Sequence, residues 1–223
     1  MRKLLINIVQ RFFRMKTLIV AATQFEIQPF IDRIDQYPDT EYLITGVGMV
    51  HTAYALGKHL ARNKYDLIIN IGIGGCFNRS LSIGDVVSID RDVFSELGAE
   101  DDDQFISINE LGFGQSIYFA QQNKNTIELV KTLPSGLGIT VNKVHGNESE
   151  IKKLRTQIPE ALIESMEGAA VFLVAMETPC QSIQIRGISN YVEKRNRATW
   201  NIPLAIKNSN RTLFQILTEI YPD

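Results

Sequence analysis

The side chains best suited to chemistry in this sequence stand at the ends of two apolar runs. One run closes with Ser165-Met166-Glu167-Gly168, the other with Arg186-Gly187-Ile188-Ser189-Asn190. Strands of α/β proteins deliver polar groups to a pocket at their carboxyl ends, so both segments are candidates for one site. A carboxylate accepts hydrogen bonds from sugar hydroxyls, and a carboxamide can both donate to and accept from a carbonyl-bearing heterocycle. A nucleoside offers both groups, and is the small-molecule partner this pattern predicts.

Glu167 lies between Ala161-Leu162-Ile163 and the apolar Ala169–Ala175 run. A carboxylate buried there needs a partner, either ribose hydroxyls or the start of the helix that Gly168 opens. Met166 beside it packs against a sugar face or joins the core. Glu26 follows the first apolar run, where a carboxylate can take a proton from an attacking water or simply end a helix. Arg186 is expected to orient Glu26 through a charge-assisted bond, although a structural ion pair would read the same way.

Asn190 discriminates between bases. A 6-oxopurine presents a carbonyl acceptor and an N1–H donor, which a carboxamide can match and an ionised Asp cannot. Mispairing a buried polar group costs about 1–3 kcal/mol, so Asn190 favours a hypoxanthine-type base, unless it only forms a turn.

Two glycine clusters, Gly46-Val47-Gly48 and Gly72-Ile73-Gly74-Gly75, follow strand-like runs. They read as turns walling a ligand pocket, with Gly74 among the substrate-binding positions, or as plain tight turns. Neither carries a third dinucleotide glycine or a following Gly-Lys-Ser/Thr, so no nicotinamide or ATP cofactor is expected. Ile73 stands where a phosphate cradle would offer Ser or Thr, which argues against phosphate as co-substrate.

The elements that position these residues alternate. Strands are expected near 17–22, 41–45, 67–71, 85–90, 138–144, 161–166 and 182–189. Helices are expected near 24–34, 49–63, 124–133, 148–157, 168–177 and 203–220, the last opened by Pro203. This is a single α/β domain over residues 15–223. Residues 1–14 read as an N-terminal arm or an upstream start rather than a signal peptide. The stretch from Asp90 to Gln122, with its Glu100-Asp101-Asp102-Asp103 run, is a lid, a subunit contact or a solvated insertion.

The 223 residues are 44% hydrophobic with a formal charge of -2, which suits one sizeable core and gives no general attraction to nucleic acid or anionic membrane. No run is long enough to span a bilayer. Cys76 and Cys180 make no disulfide framework, and His51, His59 and His145 lack metal-ligand spacing, so a reducing cytoplasm and no metal are expected.

The ordered set of Glu26, Gly46-Val47-Gly48, Gly72-Ile73-Gly74-Gly75, Gly84-Asp85, Met166-Glu167-Gly168 and Arg186–Asn190 resembles the nucleoside phosphorylase and nucleosidase superfamily, over nearly the whole chain after Met15. The resemblance implies a central mixed, barrel-like β-sheet flanked by helices, assembled as a homodimer or larger homo-oligomer. In the methylthioadenosine/S-adenosylhomocysteine nucleosidase branch the position of Asn190 is an aspartate, so this chain departs there. Its Gly187–Glu193 segment, with Arg195, Trp200–Ala205, Leu97–Asp101 and Glu110-Leu111-Gly112, is similar instead to the futalosine hydrolase family. That family releases hypoxanthine from futalosine in an alternative menaquinone pathway.

By this resemblance Glu26 activates water, Glu167 grips the ribose hydroxyls, Met166 lies beneath the ribose, and Arg186 stands near the water. Asn190 serves the leaving base, with Ser189 adjacent. The loop around Asn147 aligns poorly with the family segment that closes over the sugar and base, and receives no role. Lys194, Arg195 and Arg197 beside Trp200 either meet the benzoate-bearing 5' extension of futalosine or are surface cations. Another nucleosidase, a phosphorylase and a non-catalytic nucleoside sensor are the competing readings.

Overall fold

The computed structural model describes residues 15–121 and 127–222. Among the described residues the strands are β1 (Thr17–Ala21), β2 (Thr40–Ile44), β3 (Leu67–Cys76), β4 (Val86–Phe94), β5 (Gly98–Asp101), β6 (Gln104–Ser107), β7 (Ile117–Phe119), β8 (Ser135–Thr140), β9 (Ala161–Ser165) and β10 (Gln181–Tyr191). The helices are α1 (Gln24–Ile31), α2 (Met49–Leu60), α3 (Glu128–Thr132), α4 (Glu148–Gln157), α5 (Gly168–Met176) and α6 (Ile202–Ile220).

The main sheet runs β10-β4-β8-β9-β3-β1-β2, and an additional β10–β3 pairing closes its first five strands into a barrel. β10 lies parallel to β3 and antiparallel to β4, so the sheet is mixed. The closure at β3–β9 is antiparallel and short, pairing Gly75 with Glu164 and Cys76 with Ile163.

Strands covered on both faces must be apolar along their whole length, and β1 and β3 have that character. On one face Ile19, Ile69 and Ile185 pack with Ile27 and Phe30 of α1 and Leu213 and Leu217 of α6. On the other, Leu18, Val20 and Ile68 meet Leu56 of α2 and Val171 and Ala175 of α5. α6 begins with Pro203 in its first turn, where the missing N–H costs little, and Asn201 caps it by accepting from Leu204 N at 3.2 Å.

Three expectations change. The Gly72–Gly75 cluster is not a turn after a strand but part of β3, which continues to Cys76. β8 spans Ser135–Thr140, earlier in the chain than 138–144, because its glycines admit neighbours that a side chain would exclude. A Cβ on Gly138 would stand 2.6 Å from Asp92 Oδ2. The stretch after Asp90 is ordered as the β5–β6 hairpin, turning at Asp102 with φ 54°, followed by β7 on the edge of β4. Residues 1–14, read as an arm, lie outside the described residues.

Candidate active site

Glu26 belongs to a capping box. Its Oε2 accepts from Thr23 N at 3.0 Å and Thr23 Oγ1 at 2.9 Å, which fixes the first turn of α1. Its Oε1 turns toward β3 and accepts from Ile73 N at 3.3 Å. Burial pushes the Glu26 carboxyl above its ordinary range, and the like charge of Glu167 adds to this against the pull of Thr23 and Arg186.

Arg186 is fully buried on β10. Its Nη2 donates to Asn70 Oδ1 and its Nη1 to the Ile185 carbonyl at 3.3 Å. The direct bond to Glu26 read from the sequence is therefore replaced by Asn70 and Ile185 as partners. Arg186 and Glu26 still adjoin, since a Cβ on Gly72 would stand 2.8 Å from Glu26 Oε1 and 3.3 Å from Arg186 Nη1. Burial lowers the Arg186 pKa, while Glu167, Glu26 and Asp92 oppose that shift by surrounding it with negative charge.

Glu167 is the N-cap residue of α5, yet its side chain makes no cap bond to that helix. Instead Oε1 accepts from Gly48 N at 2.9 Å, in a loop where Gly46 and Gly48 hold φ of 85° and 97°. The carboxylate thus bridges α5 to the glycine turn before α2. Met166, partly buried, packs against the buried cluster that includes Phe77, Ile139, Val141 and Val192.

Asn190 pairs with Gly75 across β10–β3, just past an irregularity in register at Ser189. The Ser189 hydroxyl donates to Asn190 Oδ1 at 2.7 Å, with the Gly74 carbonyl a second acceptor at 3.1 Å. Asn190 Nδ2 donates to the Tyr191 carbonyl at 2.9 Å. Gly74 is glycine for packing within the protein: a Cβ would meet Ile163 Cγ2 at 2.6 Å and the Glu164 carbonyl at 2.8 Å. Close strand packing against β9 by itself requires glycine there.

Glu26, Arg186 and Glu167 thus form one electrostatic cluster, and Arg186 and Asn190 share β10 with their register partners Gly72 and Gly75 on β3. Among the described residues, no three His, Cys, Asp or Glu side chains converge as a metal site, and no helix is long and apolar enough to cross a membrane.

The sequence profile of the phosphorylase superfamily matches residues 42–221. The chain belongs to that superfamily. A futalosine hydrolase of Streptomyces coelicolor is 32% identical over 173 residues, covering 74% of this chain and 73% of the relative. A 5'-methylthioadenosine/S-adenosylhomocysteine nucleosidase of Geobacillus is 23% identical over 240 residues, covering 92% and 99%. The solved native structure of the futalosine hydrolase of Helicobacter pylori shares the fold, with a TM-score of 0.78 at 15% identity over 92% of this chain and 98% of that one.

Within this phosphorylase-superfamily chain, two polar groups escaped the reading of the sequence. Asp92 is wholly buried and accepts from Thr140 Oγ1 at 2.8 Å and Gln184 Nε2 at 2.9 Å; Thr140 in turn accepts from Ala169 N at 2.8 Å in the first turn of α5. Burial pushes the Asp92 carboxyl up to about 6. The second group is Glu164 with His145, whose ring Nδ1 donates to Glu164 Oε2. Glu164 ends an apolar strand and Asp92 follows the charged Asp90-Arg91 pair, and only the tertiary pairing reveals either acid as buried and partnered. Arg195 lies 5.1 Å from the Trp200 ring and its backbone N donates to the Gly146 carbonyl at 3.1 Å, on the His145 side.

Proposed function

We propose that this nucleosidase-class hydrolase cleaves the N-glycosidic bond of futalosine and releases hypoxanthine, as a step toward menaquinone in the cytoplasm. The observation that carries the reading is the paired arrangement on β3 and β10. A carboxylate with a raised pKa adjoins a buried arginine at Gly72, and a carboxamide stands further along the same two strands at Gly75.

As the C1'–N9 bond lengthens, the ribose gains oxocarbenium character and electrons pass to the base. Glu167, anchored by Gly48 N, has a second oxygen for the ribose hydroxyls. Met166 supports the sugar face. Asn190 turns its amide from Tyr191 to donate to O6 or N7 as negative charge arrives there. Water adds to C1' and yields its proton to Glu26, whose raised pKa suits a general base better than that of an ordinary glutamate. Arg186 holds the local charge balance without being consumed.

Water rather than phosphate is the nucleophile in this reading. The Ile73 N–H is already taken by Glu26, and Arg186 is buried with bonds to Asn70 and Ile185, so neither is free to cradle a phosphate. Active units are homo-oligomers in this reading, as the superfamily resemblance implies.

The test is chromatography of the purified protein incubated with futalosine, inosine and methylthioadenosine, each with and without phosphate. Hypoxanthine from futalosine at a rate indifferent to phosphate supports the proposal. Adenine from methylthioadenosine as the preferred product, or a phosphate requirement, refutes it.

A further inference from the structure

The sheet register sets three residues in one row. Asn190 is the partner of Gly75 across β10–β3, and Gly75 is the partner of Glu164 across β3–β9. Cross-strand partners project to the same face, so a carboxamide and a carboxylate flank a glycine that has no side chain. Two strand spacings, about 10 Å, separate their backbones. Gly75 is confined to glycine by the Asn190 side, where a Cβ would lie 2.9 Å from Val192 Cγ2 and 3.1 Å from Asn190 Nδ2.

Glu164 is 4% exposed, and the reaction outlined above does not use it. Its two oxygens are held differently: Oε1 accepts from the backbone N of His145 at 2.9 Å, and Oε2 from the His145 ring. Hydrogen bonding to Glu164 raises the His145 pKa, which favours the imidazolium form of the ring. Each carboxylate oxygen keeps further acceptor capacity. The row continues to Ile139, which pairs with Glu164 across β8–β9 and belongs with Val192 to the buried cluster against which Met166 packs. A buried, oriented, acceptor-only group thus stands opposite Asn190 in apolar surroundings.

We infer that Glu164, oriented by His145, reads the edge of the base opposite Asn190 by accepting the N1–H of a 6-oxopurine. The inference rests on the preceding reading that a purine lies against Asn190. The preference of Asn190 for a 6-oxopurine holds only while Ser189 donates to its Oδ1; if Ser189 donates to the Gly74 carbonyl instead, the carboxamide can turn by half a turn, exchange donor for acceptor and suit either base. A carboxylate has no such freedom. It accepts the N1–H of hypoxanthine and faces a lone pair at N1 of adenine, so selection against 6-aminopurines resides in Glu164. His145 is a positioning residue, because it acts through the carboxylate.

Calorimetry with free bases tests this without reliance on turnover. Wild type is expected to bind hypoxanthine about tenfold or more tightly than 1-methylhypoxanthine or adenine. Glu164→Gln, whose amide can present N–H to adenine N1, should reduce the hypoxanthine-to-adenine preference by about tenfold or more, with His145→Gln intermediate. Equal wild-type affinity for hypoxanthine and 1-methylhypoxanthine overturns the inference whether or not the variants fold. Equal weakening of all three bases by Glu164→Gln marks a structural role and also overturns it. Hypoxanthine selectivity through Glu164 in a protein that leaves futalosine intact would sink the substrate assignment alone. Futalosine cleavage without N1 discrimination would sink this inference alone.

Discussion

Glu26 and Arg186 adjoin at Gly72 while each directs its hydrogen bonds elsewhere, the acid to Thr23 and Ile73 and the cation to Asn70 and Ile185. The attraction between them is therefore felt through space, and the acid keeps lone pairs for water. Gly72→Ala places a methyl group 2.8 Å from Glu26 Oε1, so one of the two side chains must move. The expected outcome is a fold retained at a cost of about 1–3 kcal/mol, with a larger proportional loss in kcat than in KM. Thermal denaturation and steady-state kinetics on futalosine check both halves.

Glu26→Gln keeps a capping-box residue at the third helical position, so α1 and the far-ultraviolet circular dichroism should persist. Removal of the proton acceptor should lower kcat by about 10²–10⁴-fold. Full turnover in this variant would remove Glu26 from the reaction.

The Glu26 pKa is raised by burial and by Glu167, and the base must be ionised to act. The rate should accordingly fall with acidification through a midpoint above the 4.5 of an unperturbed glutamate. Glu167→Gln removes the like charge, and the acid limb of its residual activity should move to lower pH. A pH profile of kcat/KM for both proteins measures this, and a limb that stays in place would exclude the coupling.

Asn190→Asp replaces a donor-acceptor by an acceptor alone. Facing O6 and N7, the carboxylate repels the charge that arrives on the leaving base, and hypoxanthine release should drop by about ten- to a hundredfold. Product chromatography against wild type gives the ratio directly.

Asp92 titrates near 6 in the fold against an ordinary 3.8, because it is buried. The unfolded chain ionises first, so this group's contribution to stability is present below about 3.8 and is lost as pH rises through about 6. Asp92→Asn does not titrate, and once the Gln184 amide turns from donating Nε2 its new N–H can donate to Gln184 Oε1, which has no hydrogen-bond partner among the described residues. Relative to wild type the variant should gain on the order of 1–3 kcal/mol between pH 4 and pH 8. Denaturant titrations at the two pH values would show it, and a constant difference would refute it.

Apolar runs and strand-to-helix alternation made β1, β3, β9, β10 and the long α6 legible, because burial on both faces forces a continuous hydrophobic signature. Glu26, Glu167, Arg186 and Asn190 stood out as polar residues ending such runs. What stayed hidden depended on pairing between distant strands. The partners of Arg186 lie on β3 and on its own backbone, and nothing local reveals that Asn70 would receive its guanidinium. The start of β8 escaped because Ser135-Gly136-Leu137-Gly138 lacks strand propensity, although its glycines are what let Asp92 and Leu162 come close. His145 looked isolated in the sequence, since its acid partner is nineteen positions away.

β10 is paired to β3 along its length and to β4 over 184–187, and carries both Arg186 and Asn190. The guanidinium and the carboxamide thus ride on one stave of the cask, and Arg186, laced on both sides, cannot slacken unless the hoop of five strands springs apart. Heat or denaturant should accordingly extinguish activity and tertiary structure together, with no interval in which a loosened yet folded enzyme survives.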